Sequence, residues 1–324
     1  MQLAQRQTFK TSQDWNNFLV SNKQLTGQDL FELRKACYND IESVRKNPLI
    51  VYASKFVDGS NQEAPILIDI NDVDGFTDLV NHINGSDAID VLIHSPGGRP
   101  DATERIVYIL RSRFKEVNFL IPHSAYSAAT MLALSGNNII MHPSATLGPI
   151  DPQINGIPAR SIKRGFEKVK RIIMEDGPEA LPAYIPLIEK YSLDLLELCD
   201  DSEKLSKELV GNWLKQYMFR GKINQNKIKR AVNYFSNYDK HLLHSRPLVF
   251  DKLKSLELNI ELAEAPLKDL LWESYILING FFNITPFVKL YESCHGVSWG
   301  RQFQQLNIPI PQQLVRQIKQ DKDK

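Results

Sequence analysis

Two stretches decide the reading: Val91-Leu92-Ile93-His94-Ser95-Pro96-Gly97-Gly98 and Ala125-Tyr126-Ser127-Ala128-Ala129-Thr130-Met131-Leu132-Ala133-Leu134. The first is an apolar run that stops at a Pro-Gly-Gly turn, the pattern of a buried strand. The second sets a serine between a strand at 117–121 and an apolar helix at 127–135. Paired glycines let the backbone turn without a Cβ clash and come close to a ligand. The helix that follows them starts near Asp101, so N–H groups lie at the positive end of its dipole. N–H groups beside a hydroxyl are what acyl transfer requires. The turn matches neither GxGxxG nor GxxxxGK[ST], which argues against a nucleotide site. The competing reading of Ser127 is a helix N-cap, and Ser124 is the alternative serine.

Outward from this pair, strand patterns fall at 49–53, 65–70, 89–93, 117–121 and 138–141. Helical spacing lies between them, in Phe76, Leu79, Val80 and Ile83 and again in Ile106, Ile109, Leu110 and Phe114. The alternation predicts an α/β fold of βαβ units with a largely parallel sheet. Residues 1–46 read as a helical segment, with Thr26 just ahead of Asp29. Residues 47–158 form the α/β core and 159–240 a helical region, where Leu205, Leu209, Trp213 and Tyr217 make an amphipathic stripe. Lys163, Arg164, Lys168, Lys170 and Arg171 read as its solvated face. Residues 241–265 return to the core, helical at 247–256 and extended at 259–263. From 266 to 324 the chain reads as an irregular, aromatic extension with a charged tail. Asp69, Asp72 and Asp74 lack EF-hand spacing and read as solvated, helix-capping acids.

Composition bounds the function. A hydrophobic fraction of 43% with 24% charged residues is that of a globular protein, and a net charge of +1 gives no pull toward nucleic acid. The three scattered cysteines, Cys37, Cys199 and Cys294, make neither a disulfide framework nor a CxxC metal site. Cys294 and His295 are sequence neighbours, which seldom face each other, so no dyad is expected there. The start of the chain lacks the apolar core of a signal peptide, and the apolar run 275–288 is too short and broken to span a bilayer. The expectation is a cytoplasmic protein without a transmembrane segment, with room for peripheral membrane contact.

The segments His94-Ser95-Pro96-Gly97-Gly98, Ser127-Ala128-Ala129-Thr130 and Leu147-Gly148-Pro149-Ile150-Asp151-Pro152-Gln153 resemble the serine dehydrogenase proteinase family. That family belongs to the Clp protease/crotonase superfamily, beside signal peptide peptidase A. The resemblance covers 48–155 and resumes near 238–264. It implies a Clp/crotonase-like spiral of ββα units, a homo-oligomer, a peptide or protein substrate and no cofactor. By position it makes Ser127 the nucleophile and Gly97, Gly98 and Ala128 the oxyanion donors.

The base is the open position. A serine hydroxyl needs a proton acceptor within hydrogen-bond reach. The region where a Clp protease carries its histidine holds Pro149-Ile150-Asp151 instead. The resemblance points to His244, in His244-Ser245-Arg246-Pro247-Leu248, with Asp151 to orient it. His241 is the substitute. Lys163, Lys168 and Lys170 are the signal-peptide-peptidase-like alternative, which would need burial to lower their pKa. His94, His123 and His142 lie at strand ends near the site. Two other functions remain on this fold: a crotonase-like acyl-CoA enzyme, whose paired N–H groups hold an enolate, and a non-catalytic peptide-binding scaffold that lacks the base.

Overall fold

A run of Leu-Ile-Val-Tyr-Ala-Ser with no polar alternation demands cover on both faces, and strand β1 (Leu49–Ser54) is buried along its whole length. In this computed structural model, residues 6–57, 64–189, 192–221 and 224–303 are described. Further strands are β2 (Ala88–His94), β3 (Glu116–Ile121), β4 (Asn138–Met141), β5 (Ile260–Leu262), β6 (Phe287–Ser293) and β7 (Ser298–Gln302). They form one seven-stranded sheet in the order β5-β4-β3-β2-β1-β6-β7. The first five of these in sheet order run parallel. The β6–β7 hairpin is added antiparallel to β1, so the sheet is mixed.

The two-residue period of β1 splits the core. Ile50 and Tyr52 join the cluster that includes Phe76, Ile106 and Met131 from the helices Asp72–His82, Pro100–Arg113 and Ala128–Leu134. Leu49, Val51 and Ala53 face the opposite cluster, with Trp15, Tyr38 and Phe281 from the helices Ser12–Ser21, Gly27–Arg45 and Leu267–Ile284. The helix Gly27–Arg45 begins where expected: Thr26 and Asp29 form a full capping box. Lys46 in the left-handed region, followed by Asn47-Pro48, ends it.

Four sequence expectations need correction. The stretch 65–70 is not a strand: Ile68 alone bridges to Gly98, and the next helix begins at Asp72. Residues 247–256 divide into a short strand, Leu248–Val249, and a short helix, Phe250–Lys254. The described part of 266–324 is largely regular, since Leu267–Ile284 is a helix and β6 pairs with β1 inside the sheet. Asp72 is not solvated; it is fully buried.

Asp72 has a buried partner, which explains its position. Lys289 of β6 is also fully buried, and its ammonium donates to both carboxylate oxygens of Asp72 at 2.8 and 2.9 Å and to the carbonyl of Leu67 at 2.6 Å. Tyr291 and Tyr52 donate to the same carboxylate. A lysine in a buried strand is tolerable only with such a counter-charge. The network ties the 64–72 loop to β6. Asp72→Asn keeps the shape and leaves the ammonium only the more distant, part-exposed Asp69 carboxylate at 3.5 Å; it should cost about 3 kcal/mol of stability, measured by urea unfolding.

Candidate active site

The turns that follow β2 and β3 are pinned to each other. The Ser95 N–H donates to the Ser124 carbonyl at 3.1 Å, and the Tyr126 N–H donates to the Ser95 carbonyl at 3.0 Å. Gly97 sits directly against the second turn. Its φ is +92°, and a β-carbon there would lie 2.3 Å from the Tyr126 carbonyl oxygen and 2.7 Å from the Ala128 nitrogen. Gly98 is equally confined on its other side, where a β-carbon would lie 2.2 Å from the Ile68 carbonyl oxygen. The Ile68 N–H donates to the Gly97 carbonyl at 2.7 Å, and the Arg99 N–H to the Ile68 carbonyl at 2.8 Å. The loop anchored by Asp72 and Lys289 therefore braces the glycine turn.

Ser127 occupies the tip of the second turn with φ +52° and ψ −121°. A serine in this region costs about 1–3 kcal/mol and persists only where its surroundings enforce it. It stands at the N-cap position of the buried helix Ala128–Leu134, yet its side chain makes no cap hydrogen bond. The N-cap reading therefore does not account for the hydroxyl. Ser127 lines a cavity of about 300 Å³ together with Gly98, Ala128, Asp151 and Gln153, while Met131 and Leu205 supply apolar walls. Ser124 is buried, with its Oγ 2.7 Å from His123 Nδ1.

Thr130, the one polar side chain in the apolar helix, fastens the next segment. Its hydroxyl donates to the Ala125 carbonyl at 2.7 Å and accepts the Gly148 N–H at 3.0 Å. That fixes the start of Gly148-Pro149-Ile150-Asp151, and the Ile150 N–H donates to the Phe235 carbonyl at 2.9 Å. Asp151 is only 3% exposed. One carboxylate oxygen accepts from Gln153 at 3.1 Å. The other lies 3.0 Å from His244 Nδ1. Paired with an accepting carboxylate oxygen, Nδ1 is the donor, and in the neutral imidazole that leaves the lone pair on Nε2. His244 is brought back by a three-stranded sheet in which Leu248–Val249 pairs with Thr146–Leu147, itself paired with Ser124–Ala125. Among the described residues no hydrogen bond joins His244 to Ser127; Asp151 is the link, touching the histidine and lining the serine's cavity.

The remaining candidates are drawn elsewhere. The Gly97 N–H donates to Ser95 Oγ at 3.2 Å, so this glycine serves the close approach of the two turns rather than pointing a donor outward. His241 Nε2 donates to the Tyr234 carbonyl at 2.6 Å, and burial pushes its pKa down. Lys163 is paired with Asp200 and Glu203, and its hydrogen bond to Asp200 leads in raising its pKa, the reverse of what a lysine base needs. Lys168 and Lys170 are exposed. His123 stacks on Tyr275 at 4.3 Å and His142 on Trp272 at 5.2 Å, and His94 packs 4.7 Å from the Phe56 ring. None of these three lines the Ser127 cavity. Thr130 and Gln153 stand in the motif segments without an individual role there, and the Ile68 brace has no local sequence signal; a lone threonine in an otherwise apolar helix is the one signal for Thr130.

A family model of ClpP-like SDH-type serine proteinases matches residues 16–275. The chain belongs to that family. The match takes in the helical region and the N-terminal helices, beyond the motifs that first suggested it. Among curated proteins, two uncharacterised proteins of Methanocaldococcus jannaschii are similar. One is 31% identical over 172 residues, covering 53% of this chain and 51% of its own length. The other is 41% identical over 80 residues, covering 25% and 28%. The chain thus spans about half the length of the first and just over a quarter of the second. A solved structure titled as the 1510-N membrane-bound stomatin-specific protease, a mutant form, aligns over 61% of this chain and 76% of its own, at 18% identity and a TM-score of 0.37.

The packing at Gly97 gives a direct test. Gly97→Ala should lose about 1–3 kcal/mol, from the strained φ and the collision with the Tyr126 peptide. Gly165→Ala, on the exposed face of the helix Ala159–Asp176 with open space around it, should gain about 0.5–1 kcal/mol. Urea unfolding of the two variants against the parent checks both signs.

Proposed function

We propose that this protein is a serine peptidase acting through an acyl-enzyme on Ser127. Ser127 Oγ attacks the scissile carbonyl carbon and passes its proton to His244 Nε2. The tetrahedral oxyanion is held by the N–H groups of Gly98 and Ala128, with Gly97 setting their spacing. The carbon–nitrogen bond then breaks, and His244 returns the proton to the leaving amine. Water, deprotonated by the same imidazole, releases the acyl group and restores the serine. Asp151 holds the histidine in the tautomer that leaves Nε2 basic and stabilises the imidazolium as it forms. Base and nucleophile commonly close to hydrogen-bond distance only with substrate in place.

The observation that carries this reading is the 3.0 Å contact between His244 and a buried Asp151 that shares a cavity with Ser127. It supports His244 as the base, whose absence would favour a scaffold. A crotonase-like acyl-CoA enzyme requires neither a serine at the turn nor a carboxylate-oriented histidine. Family membership supports the same conclusion and extends it to a ClpP-like arrangement of the core and to assembly as a homo-oligomer.

A fluorophosphonate probe tests the chemistry without knowledge of the substrate. The parent should label at Ser127, found by peptide mass analysis, and Ser127→Ala should not label. His244→Ala should slow labelling by about 10²–10⁴-fold, the usual contribution of a general base. Asp151→Asn, which reverses the hydrogen bond's demand on the imidazole, should slow it by at least about 10²-fold. Equal labelling of the parent and His244→Ala, both folded, would remove His244 from the mechanism. No labelling of the folded parent would overturn the peptidase reading.

A further inference from the structure

The turn between β6 and β7 gathers three metal-ligating side chains far from the Ser127 cavity in the fold. Glu42 comes from the last turn of the helix Gly27–Arg45, and Cys294 and His295 from the turn itself. One ligand atom from each lies within 4.8 Å of the other two. Adjacent residues on a strand point to opposite faces, but β6 ends at Ser293, so Cys294 and His295 are released from that alternation. Gly296, with φ +100°, reverses the chain, and the Gly296 N–H donates to the Ser293 carbonyl at 3.3 Å. The turn thus brings the two neighbours to one side without making them a nucleophile–base dyad.

We propose that Glu42, Cys294 and His295 form a zinc site that clips the helix Gly27–Arg45 to the β6–β7 turn. The donor set is thiolate, imidazole and carboxylate, the set that suits Zn(II) over Mg(II) or Ca(II). Bond lengths of about 2.0–2.3 Å in a tetrahedral site put donors about 3.3–3.6 Å apart, and His295 Nε2 already stands 3.1 Å from Glu42 Oε1. Cys294 forms the floor at 3% exposure, whereas the Glu42 and His295 side chains are 31% and 35% exposed, which leaves an entry path and a fourth position for water. The Cys294 sulfur accepts the Leu49 N–H at 3.2 Å, a hydrogen bond that favours thiolate and orients it. A thiolate, an imidazole nitrogen and a carboxylate oxygen supply three ligand lone pairs to the ion, the thiol proton leaving to solvent as zinc binds.

The test uses the full chain stripped with a chelator. Zinc is titrated against a chromophoric competitor, and cobalt(II) is added to a second sample. One zinc per chain and a thiolate-to-cobalt charge-transfer band are expected. Cys294→Ser should abolish the band and weaken zinc binding at least about 100-fold; His295→Ala and Glu42→Gln should each weaken it at least about 10-fold. The last two alter the exposed rim and keep the test decisive if the buried cysteine variant misfolds. Labelling of Ser127 by fluorophosphonate should be unchanged in both. Absence of saturable binding, or binding that survives His295→Ala and Glu42→Gln undiminished, would overturn the proposal.

Discussion

A β-carbon at residue 97 would sit 2.3 Å from a backbone oxygen of the neighbouring turn. That single steric constraint organises the centre of the molecule. Parallel strands β2 and β3 are neighbours in the sheet, so their following loops leave from the same edge. For both loops to form one site, their backbones must touch, and only glycine lets two peptide units approach so closely. Once they touch, the rest is constrained in turn. Ser127 is forced to a positive φ, its hydroxyl is withdrawn from capping, and the N–H of Ala128 opens the helix beside the glycine turn.

The same closeness has to be braced from outside. Gly98 packs on the backbone of Ile68, and the loop carrying Ile68 has one bridge to the sheet rather than a strand's ladder. What holds it is the carboxylate of Asp72 on the ammonium of Lys289, both fully buried. A desolvated ion pair is a poor source of net stability. It is a directional one, however, and a short loop that must present its backbone in one register needs direction more than it needs affinity. The polar network under the loop and the glycine turn above it are parts of one device.

The sequence made much of this legible. Apolar runs that stop at Pro-Gly-Gly or at a serine, with helices between, required parallel strands whose loops gather on one edge. Thr26 and Asp29 marked a helix start that the structure keeps. What was lost shares a physical cause: each missing piece depends on a partner distant in sequence. Lys289 reads as a surface charge until Asp72, 217 positions away, is placed against it. The stretch 65–70 has a strand's composition, and its neighbours give it only one place to pair. Residues beyond 266 read as irregular because the strand pattern of β6 is interrupted by charges that are buried in the fold: Lys289, and Glu292, which takes two hydrogen bonds from Arg34 of the N-terminal helical segment. His244 was reachable only by resemblance, since nothing local to it signals that a two-residue strand will fold it back onto Asp151.

The site also divides its sources in a way that bears on how such a protein diversifies. The serine, both turns and the carboxylate come from the α/β core, where each is held by backbone contacts that tolerate almost no substitution. The far wall of the cavity, including Ser202, Leu205 and Ser206, comes from the helix Leu193–Trp213 of the helical region. Leu209 and Trp213, on the same stripe, are buried in the main core and anchor that helix, whereas Leu205 remains 41% exposed at the cavity. Anchor and wall are thus different residues of one helix face. Under the proposed function, changing Leu205 alters what the cavity accepts, whereas changing Gly97 or Thr130 disturbs the turns that carry Ser127 and Asp151. Under that reading selectivity and reactivity are built on different elements, the helix Leu193–Trp213 and the turns of the α/β core.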